Sequence, residues 1–270
     1  MIVEEQTPSV SWREEAVPGD TEGRAAHLTL SNPVRRNALT LEMYDQLREA
    51  CEEIDAAPQV RVTVLRGAGG QAFAAGTDIR EFRAFTNGAD GVAYEQRVAR
   101  ALDRLAALRM PVIAAVEGPA VGAGVALTAC CDIVVCTPDA VFGAPIARTL
   151  GNCLAPAVVA RLYASLGRAR TLRALLTAEL IGAEEAHEAG LVSEIADSGG
   201  LDEHIAGLTA RIAGCAPLTL AALKEADRRV LSGSAPGSAE DLYELCYGSR
   251  DFSEGVSAFL DRRAPRWQGR

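Results

Sequence analysis

The feature that most constrains the fold of this 270-residue chain is a set of glycine- and alanine-rich loops at the ends of predicted strands. FAAGTDI (73–79) and EGPAVGAG (117–124) each pass directly into a predicted helix, and NPVRRNAL (32–39) follows a further strand. The first N–H groups of a helix have no partner within it, so two helix starts can direct free donors at one oxygen. If the two starts converge in this way, main-chain atoms form an oxyanion hole. The alternative is that Gly122 and Gly124 only permit tight helix packing.

The first two-thirds of the chain repeats a strand-strand-helix pattern. Alternating or β-branched residues predict strands at 24–31, 60–67 and 111–118, and two short strands around a turn within 133–145. Thr40 is placed to cap a helix whose apolar stripe includes Met43, Leu47 and Ile54. Further helices are predicted at about 91–108 and at 123–132.

The last third is predicted to be mainly helical. The expected helices span 156–167, 169–177, 183–189, 200–214, 217–232 and 238–263, with one strand at 190–195. There is no low-complexity linker and no second independent core. The sequence thus predicts one α/β domain with a helical C-terminal portion.

Composition excludes several classes of function. A net charge of −9 without a basic block argues against a nucleic-acid partner. No apolar stretch reaches the roughly 18–20 residues of a membrane span, and the N-terminus has no signal-peptide pattern. The seven cysteines form no CxxC pair, and the three histidines are far apart, so no metal site is expected. These features together favour a cytoplasmic protein.

The order of motifs resembles the enoyl-CoA hydratase/isomerase (crotonase) family over about residues 10–265. The resemblance rests on NPVRRNAL, FAAGTDIREF, PVIAAVEGPAVGAGVALTACCDIVV, FGAP, AEEAHEAGLVSEI and RDFSEGVSAFL. It implies a crotonase-like spiral of ββα repeats over residues 1–200 and a helical trimerisation region over 201–270. It also implies a homotrimer or hexamer that acts on an acyl-CoA thioester, with coenzyme A as part of the substrate and no separate cofactor.

The resemblance also implies site residues. The two backbone donors to the thioester oxygen correspond to Thr77 and Ala123. The positions that correspond to the substrate-binding stretches are Arg35, Ala38, Ala75, Gly76, Asp78, Ile79, Arg80 and Gly122. For Asp78, which stands at a helix start, a capping role is favoured over a role as a base.

Two positions depart from the hydratase pattern. Ala126 and Ile146 stand where hydratases of the family have glutamates, and neither can transfer a proton. General acid–base groups contribute on the order of 100- to 10,000-fold each, so hydration by the two-glutamate route is not expected. Asn152 or Cys153 falls near the place from which related members project an aspartate, although Cys153 also fits simple packing. Arg148 is either a ligand for a second acidic group on the acyl chain or a solvated surface residue.

The resulting hypothesis is an acyl-CoA thioester-processing enzyme, a lyase or isomerase of the enoyl-CoA hydratase/isomerase type, that stabilises a thioester enolate. The alternative is a catalytically silent member of the family that binds CoA thioesters. A purely structural trimer ranks last, because it does not explain two intact donor loops.

Overall fold

The computed structural model describes residues 7–18, 23–197, 199–232 and 239–270. Its strands, in chain order, are β1 (Ser9–Ala16), β2 (Arg24–Ser31), β3 (Val60–Gly67), β4 (Val112–Val116), β5 (Pro119–Val121), β6 (Ile133–Cys136), β7 (Val141–Gly143), β8 (Ile181–Gly182) and β9 (Glu194–Ile195). One sheet has the order β1-β2-β3-β4-β6-β9, and a smaller sheet has the order β5-β7-β8. Pairing is parallel except between β1 and β2 and between β7 and β8.

Helices follow or connect most of these strands. The α-helices are α1 (Leu41–Ala56), α2 (Gly88–Ala106), α3 (Ala123–Thr128), α4 (Ile146–Thr149), α5 (Pro156–Leu166), α6 (Arg168–Thr177), α7 (Ala183–Ala189), α8 (Leu201–Ala213), α9 (Pro217–Leu231), α10 (Glu240–Tyr247) and α11 (Arg250–Leu260). Two short 3-10 helices span Pro33–Arg35 and Ile79–Ala84. This mixed α/β architecture confirms the predicted fold class.

The helix predicted after Thr40 is confirmed. The Thr40 hydroxyl accepts a hydrogen bond from the Met43 N–H at 3.2 Å and so satisfies one of the free donors of the first turn. Met43, Leu47 and Ile54 are fully buried, as their spacing predicts. This buried stripe fixes α1 beside α2, against one face of the large sheet.

The C-terminal region differs from the sequence prediction in its continuity. The helix expected over 238–263 is two helices, because Gly248 ends α10 and the Ser249 hydroxyl caps α11 by accepting from the Phe252 N–H at 3.0 Å. Position 238 lies outside the described residues. The strand expected at 190–195 is also shorter, since only Glu194 and Ile195 pair with β6.

Three strands were not predicted: β1, β5 and the two-residue β8, which pairs with β7. β1 carries the run WREEA and pairs with only one neighbour, so its sequence lacks the apolar alternation of a covered strand. β5 lies inside the stretch EGPAVGAG, where its three residues pair with β7. Short or edge strands give little periodic signal, because few of their side chains enter the core.

The helical C-terminal portion contributes to the core. Leu201, Ile205, Leu208 and Ile212 of α8 pack on side chains of β3, β4 and β6, on the face of the sheet opposite α1. The division at residue 200 remains a prediction, although the helix that follows it covers the sheet.

Two further properties bear on possible functions. In the described ranges, no single helix has the length and apolar character to cross a membrane. The consecutive helices α8 and α9 meet that test only as a pair bent by 103°, by length and composition alone. Across the same ranges, no group of three or more His, Cys, Asp or Glu side chains is arranged to hold a metal ion.

Candidate active site

The loops at 32–39 and 73–79 lie side by side. The Leu39 N–H donates to the Gly76 carbonyl oxygen, and the Asp78 N–H donates to the Leu39 carbonyl oxygen, both at 2.8 Å. The Ala75 N–H donates to the Arg36 carbonyl oxygen at 3.0 Å. This strand-like pairing holds the backbone around residue 77 in an extended form.

The loop at 117–124 joins the same cluster from the other side. The Ala74 N–H donates to the Pro119 carbonyl oxygen at 3.2 Å, and the Val121 N–H donates to the Ala74 carbonyl oxygen at 2.9 Å. Gly122 follows with a φ of +58°, a value that favours glycine, and a Cβ there would lie 3.4 Å from the Gly76 Cα. The three loops that the sequence singled out therefore meet in space.

Two buried asparagines organise the first loop. The Asn37 amide nitrogen donates to the carbonyl oxygens of Ala68, at 2.9 Å, and Ala72, at 2.8 Å. The Asn32 amide nitrogen donates to the Ala38 carbonyl oxygen at 2.7 Å. Sequence reasoning missed both roles, although an asparagine at either end of a short loop is a known signal for local backbone hydrogen bonding.

The two predicted donors are unpaired. Within the described ranges, the N–H groups of Thr77 and Ala123 donate no hydrogen bond. Ala123 is the first residue of α3, where an N–H has no partner within the helix. Backbone N–H groups removed from water are nearly always paired, so two free donors in neighbouring loops are candidates to bind an external acceptor.

Both donors line one cavity of about 390 Å³. Its wall is mainly apolar and includes Val98, Leu102, Val121, Ala126, Ile146, Leu150, Leu154 and Val158. A mostly apolar cleft with a few convergent polar groups is typical of a small-molecule site.

A chain of hydroxyl groups supports the first donor. The Thr77 Oγ1 lies 2.8 Å from the Tyr44 hydroxyl oxygen and 2.6 Å from the Tyr94 hydroxyl oxygen. Burial raises the pKa of Tyr44 well above its ordinary value and raises that of Tyr94 as well, so both phenols stay neutral at physiological pH. The side chain of Thr77 is thereby held in place.

The sequence-predicted site residues divide into two groups. Beside the two donors, those that line the cavity are Ala75, Gly76, Ile79, Gly122, Asn152 and Cys153. Those that do not line it are Arg35, Ala38, Asp78, Arg80 and Arg148. Arg148 is exposed on α4, and Asn152 and Cys153 lie in the exposed loop between α4 and α5.

Asp78 has a structural role at the start of the 3-10 helix. Its carboxylate accepts a hydrogen bond from the Arg80 N–H at 3.1 Å and pairs with the Arg80 guanidinium. This pairing, together with the nearby charge of Arg35, lowers the pKa of Asp78. The carboxylate is buried and fully engaged, which disfavours a role as a proton acceptor.

Glu95 is a charged cavity residue that sequence reasoning missed. Glu95 of α2 lines the cavity, and burial raises the pKa of its carboxyl group. The signal was present in the spacing: Glu95, Val98, Leu102 and Leu105 follow the 3-4-3 repeat of one helix face. A carboxylate on an otherwise apolar helix face is unexpected unless it has a partner or a function.

Comparisons with known proteins identify the family. The family model described as Enoyl-CoA hydratase/isomerase matches residues 20–270. The 2,3-dehydroadipyl-CoA hydratase of Escherichia coli (strain K12) is 34% identical, over 92% of this chain and 96% of that protein. The (E)-benzylidenesuccinyl-CoA hydratase of Thauera aromatica is 32% identical, over 93% of this chain and 98% of that protein.

Solved structures extend the likeness to the fold. The crystal structure of an enoyl-CoA hydratase/carnithine racemase from Magnetospirillum magneticum superposes with a TM-score of 0.87 at 34% identity, over 97% of this chain and 96% of that chain. An enoyl-CoA hydratase/isomerase family protein from Hyphomonas neptunium superposes with a TM-score of 0.89 at 31% identity, over 99% of this chain and 100% of that chain. The chain therefore belongs to the enoyl-CoA hydratase/isomerase (crotonase) family.

Proposed function

We propose that this protein binds an acyl-CoA thioester and stabilises its enolate through the N–H groups of Thr77 and Ala123. The observation that carries the proposal is that both N–H groups lack a protein acceptor and line the same cavity. Negative charge that develops on the thioester oxygen would be met by two fixed dipoles in a largely apolar site. Each such donor is worth about 100- to 1,000-fold in rate.

The surroundings of the cavity fit the rest of the substrate. Ala75, Gly76 and Ile79 line one part of the wall, and the side chain of Ile79 is 60% exposed, so it is available to cover an apolar ligand arm. Arg35 lies close enough to lower the pKa of the neighbouring Asp78 and is itself exposed, as a ligand for a phosphate group would be. In this proposal coenzyme A is part of the substrate.

The acyl group that best fits the cavity carries no terminal charge. The described lining of the cavity contains no lysine or arginine, and its one charged side chain, Glu95, is negative. A distal carboxylate would be desolvated without a partner there, which is unfavourable. Arg148, the sequence candidate for binding such a group, is exposed and outside the lining.

We also propose that hydration by two glutamates is not the reaction. Ala126 and Ile146, which stand at the expected glutamate positions, both line the cavity and supply no proton. The relatives named as hydratases support the family, whereas the reaction of this chain depends on its own side chains.

A proline substitution tests the donor role directly. Ala123→Pro removes the N–H at the first position of α3, where a helix tolerates proline. Titration calorimetry with butyryl-CoA should show loss of binding, while Ala123→Ser, which keeps the N–H, should bind like the wild type. Circular dichroism checks that the proline variant is folded. Unchanged affinity in the folded proline variant would place the thioester elsewhere.

A second candidate function is supported by the apolar lining: a member of the family that binds acyl-CoA without turnover. An enzyme should convert bound acyl-CoA, whereas a binding protein should leave it unchanged, so wild-type binding and product formation measured together separate the two. Where product forms, Asn152→Ala and Cys153→Ala test whether the loop between α4 and α5 supplies a group that the reaction needs.

A further inference from the structure

Glu95 differs in charge from every other residue of the cavity wall. Among the described residues that line the cavity, it is the one Asp, Glu, Lys or Arg side chain. Its carboxylate makes no hydrogen bond or ion pair to another described residue. Arg97, two positions along α2, is instead paired with Asp45 through its Nε at 3.0 Å and a terminal nitrogen.

The position of Glu95 on α2 directs it to the site. Tyr94, Val98, Ala99 and Leu102 of the same helix also line the cavity, so this face of α2 forms one wall. The negative charge of Glu95 contributes to the raised pKa of both Tyr44 and Tyr94, the two phenols bonded to Thr77. Glu95 and Thr77, the residue that carries the first donor, therefore line the same cavity, and the charge of Glu95 acts on the two phenols bonded to Thr77.

The amide and hydroxyl groups of the wall are poor bases. An amide such as that of Asn152 does not accept a proton at neutral pH. The hydroxyl groups of Tyr44, Thr77 and Tyr94 bond to one another, and burial keeps both phenols protonated. The Cys153 thiol lies in an exposed loop. Glu95 is the half-buried group that is free to take a proton.

Placing an unpaired carboxylate in an apolar wall costs folding free energy. Departures of this kind from the usual physical rules are expected at functional sites. Burial raises the pKa of Glu95 above its ordinary value, which makes its carboxylate a stronger base than a solvated one. The half-buried position also keeps it in contact with water, through which a proton can leave.

We propose that the Glu95 carboxylate removes a proton from the α-carbon of the acyl thioester whose oxygen is bound at Thr77 and Ala123. This inference rests on the proposed function. In the step, a Glu95 oxygen forms a bond to the proton as the Cα–H bond breaks. The C–H electron pair becomes the Cα–C1 double bond, and the carbonyl π pair moves to the thioester oxygen. Return of a proton from Glu95 to carbon reverses the step without any other reactant.

Hydrogen–deuterium exchange measures this step without knowledge of the natural product. Butyryl-CoA is incubated with the full-length protein in D₂O, and deuterium at Cα is followed by NMR and mass spectrometry. We expect exchange with the wild type and a loss of about 100- to 10,000-fold in Glu95→Gln, the range of a lost general base. Glu95→Asp, which keeps a shorter carboxylate, should restore part of the rate.

A matched control removes a nearby charge from outside the cavity. Glu81 lies in the 3-10 helix beside the site, does not line the cavity, and also raises the pKa of Tyr94 through its charge. Glu81→Gln should exchange at the wild-type rate. Calorimetry with butyryl-CoA in each variant separates loss of proton transfer from loss of binding.

The outcomes separate this inference from the proposed function. Binding without exchange in the wild type, or wild-type exchange in Glu95→Gln, would overturn the role of Glu95 and leave thioester binding intact. Loss of exchange in Cys153→Ser with full exchange in Glu95→Gln would assign the base to the thiol instead. Failure of the wild type to bind butyryl-CoA would overturn the proposed function and, with it, this inference.

Discussion

Gly124 packs directly on the carbonyl group of Ala74: a Cβ at position 124 would lie 2.3 Å from the Ala74 oxygen. This contact joins the loop that carries Thr77 to the helix start that carries Ala123. The two interpretations of the glycine-rich stretch are therefore compatible, since tight packing at Gly124 is what allows the two donors to share one cavity.

Gly124→Ala should separate the two loops. A 2.3 Å approach to a carbonyl oxygen cannot be relieved by a side-chain rotation, so the backbone must move. We expect the free energy of unfolding to fall by about 1–3 kcal/mol, as for other overpacked sites, and the affinity for butyryl-CoA to fall as well. Urea unfolding and calorimetry measure the two effects.

The control for that substitution is Gly91→Ala in α2. A Cβ at Gly91 meets nothing within 4 Å, so the change should stabilise the helix by about 0.5–1 kcal/mol. A Gly124→Ala variant as stable as Gly91→Ala, with unchanged affinity, would contradict the role of the contact.

Thr77→Val removes the hydroxyl that links Tyr44 to Tyr94 and keeps the backbone donor. Tyr44 is 1% exposed, so its hydroxyl would lose a partner in a buried place. We expect a loss of about 1–3 kcal/mol of stability, measured by chemical denaturation. Thr77→Ser keeps the hydroxyl and should lie close to the wild type. Equal stability of the Val and Ser variants would show that the hydroxyl chain does not contribute to the stability of the fold.

Glu95→Gln should stabilise the protein at neutral pH. The folded-state pKa of Glu95 is raised. Its carboxyl group therefore contributes to the free energy of unfolding fully below the unfolded-state pKa, and this contribution is lost as pH rises through the folded-state pKa. At pH 7 the variant should therefore be more stable, by less than about 1 kcal/mol because a half-buried carboxyl stays partly hydrated. Tyr44 and Tyr94 remain neutral over this range.

Urea unfolding at pH 4 and pH 7 measures the difference between wild type and Glu95→Gln. The gain should be present at pH 7 and much smaller at pH 4, which lies below the raised folded-state pKa and just below the ordinary glutamate value of about 4.3. A gain of equal size at both values would mean that charge at position 95 is not its source.

The wild type should hydrate crotonyl-CoA very poorly. Loss of both acid–base groups costs on the order of 10,000-fold or more, although the two effects are not additive. The double change Ala126→Glu and Ile146→Glu should raise the rate, and only modestly, because carboxylates also need supporting neighbours. The absorbance of the enoyl thioester follows the reaction. A wild-type rate like that of ordinary hydratases would show that another residue supplies this chemistry.

The C-terminal helices should mediate self-association. Phe259 is 83% exposed and Leu260 is 74% exposed, and Phe252 and Val256 of α11 are also exposed. A lone subunit would leave this apolar surface in water, which favours a symmetric assembly. Light scattering should give three or six times the 28.4 kDa subunit mass. A monomer at micromolar concentration would contradict the prediction.

The sequence alone was sufficient for the fold class and for the family. The stripe of α1, its Thr40 cap and the order of the motifs are local signals, because each depends on residues a few positions apart. The same signals identified the three loops that meet in space, two of which, 73–79 and 117–124, line the cavity. The roles of Thr77 and Ala123 as donors came from the resemblance and remain predictions.

Other features of the site depend on tertiary structure. The contact of Gly124 with Ala74 joins residues 50 positions apart in the chain, and the hydroxyl chain joins Tyr44, Thr77 and Tyr94 from three separate elements. The periodicity of a helix shows which of its faces is apolar, but it does not show which other elements of the fold pack against that face. Glu95 therefore looked like one polar residue among many until packing placed its face of α2 on the cavity. Only the packing of distant elements decides which carboxylate faces a substrate.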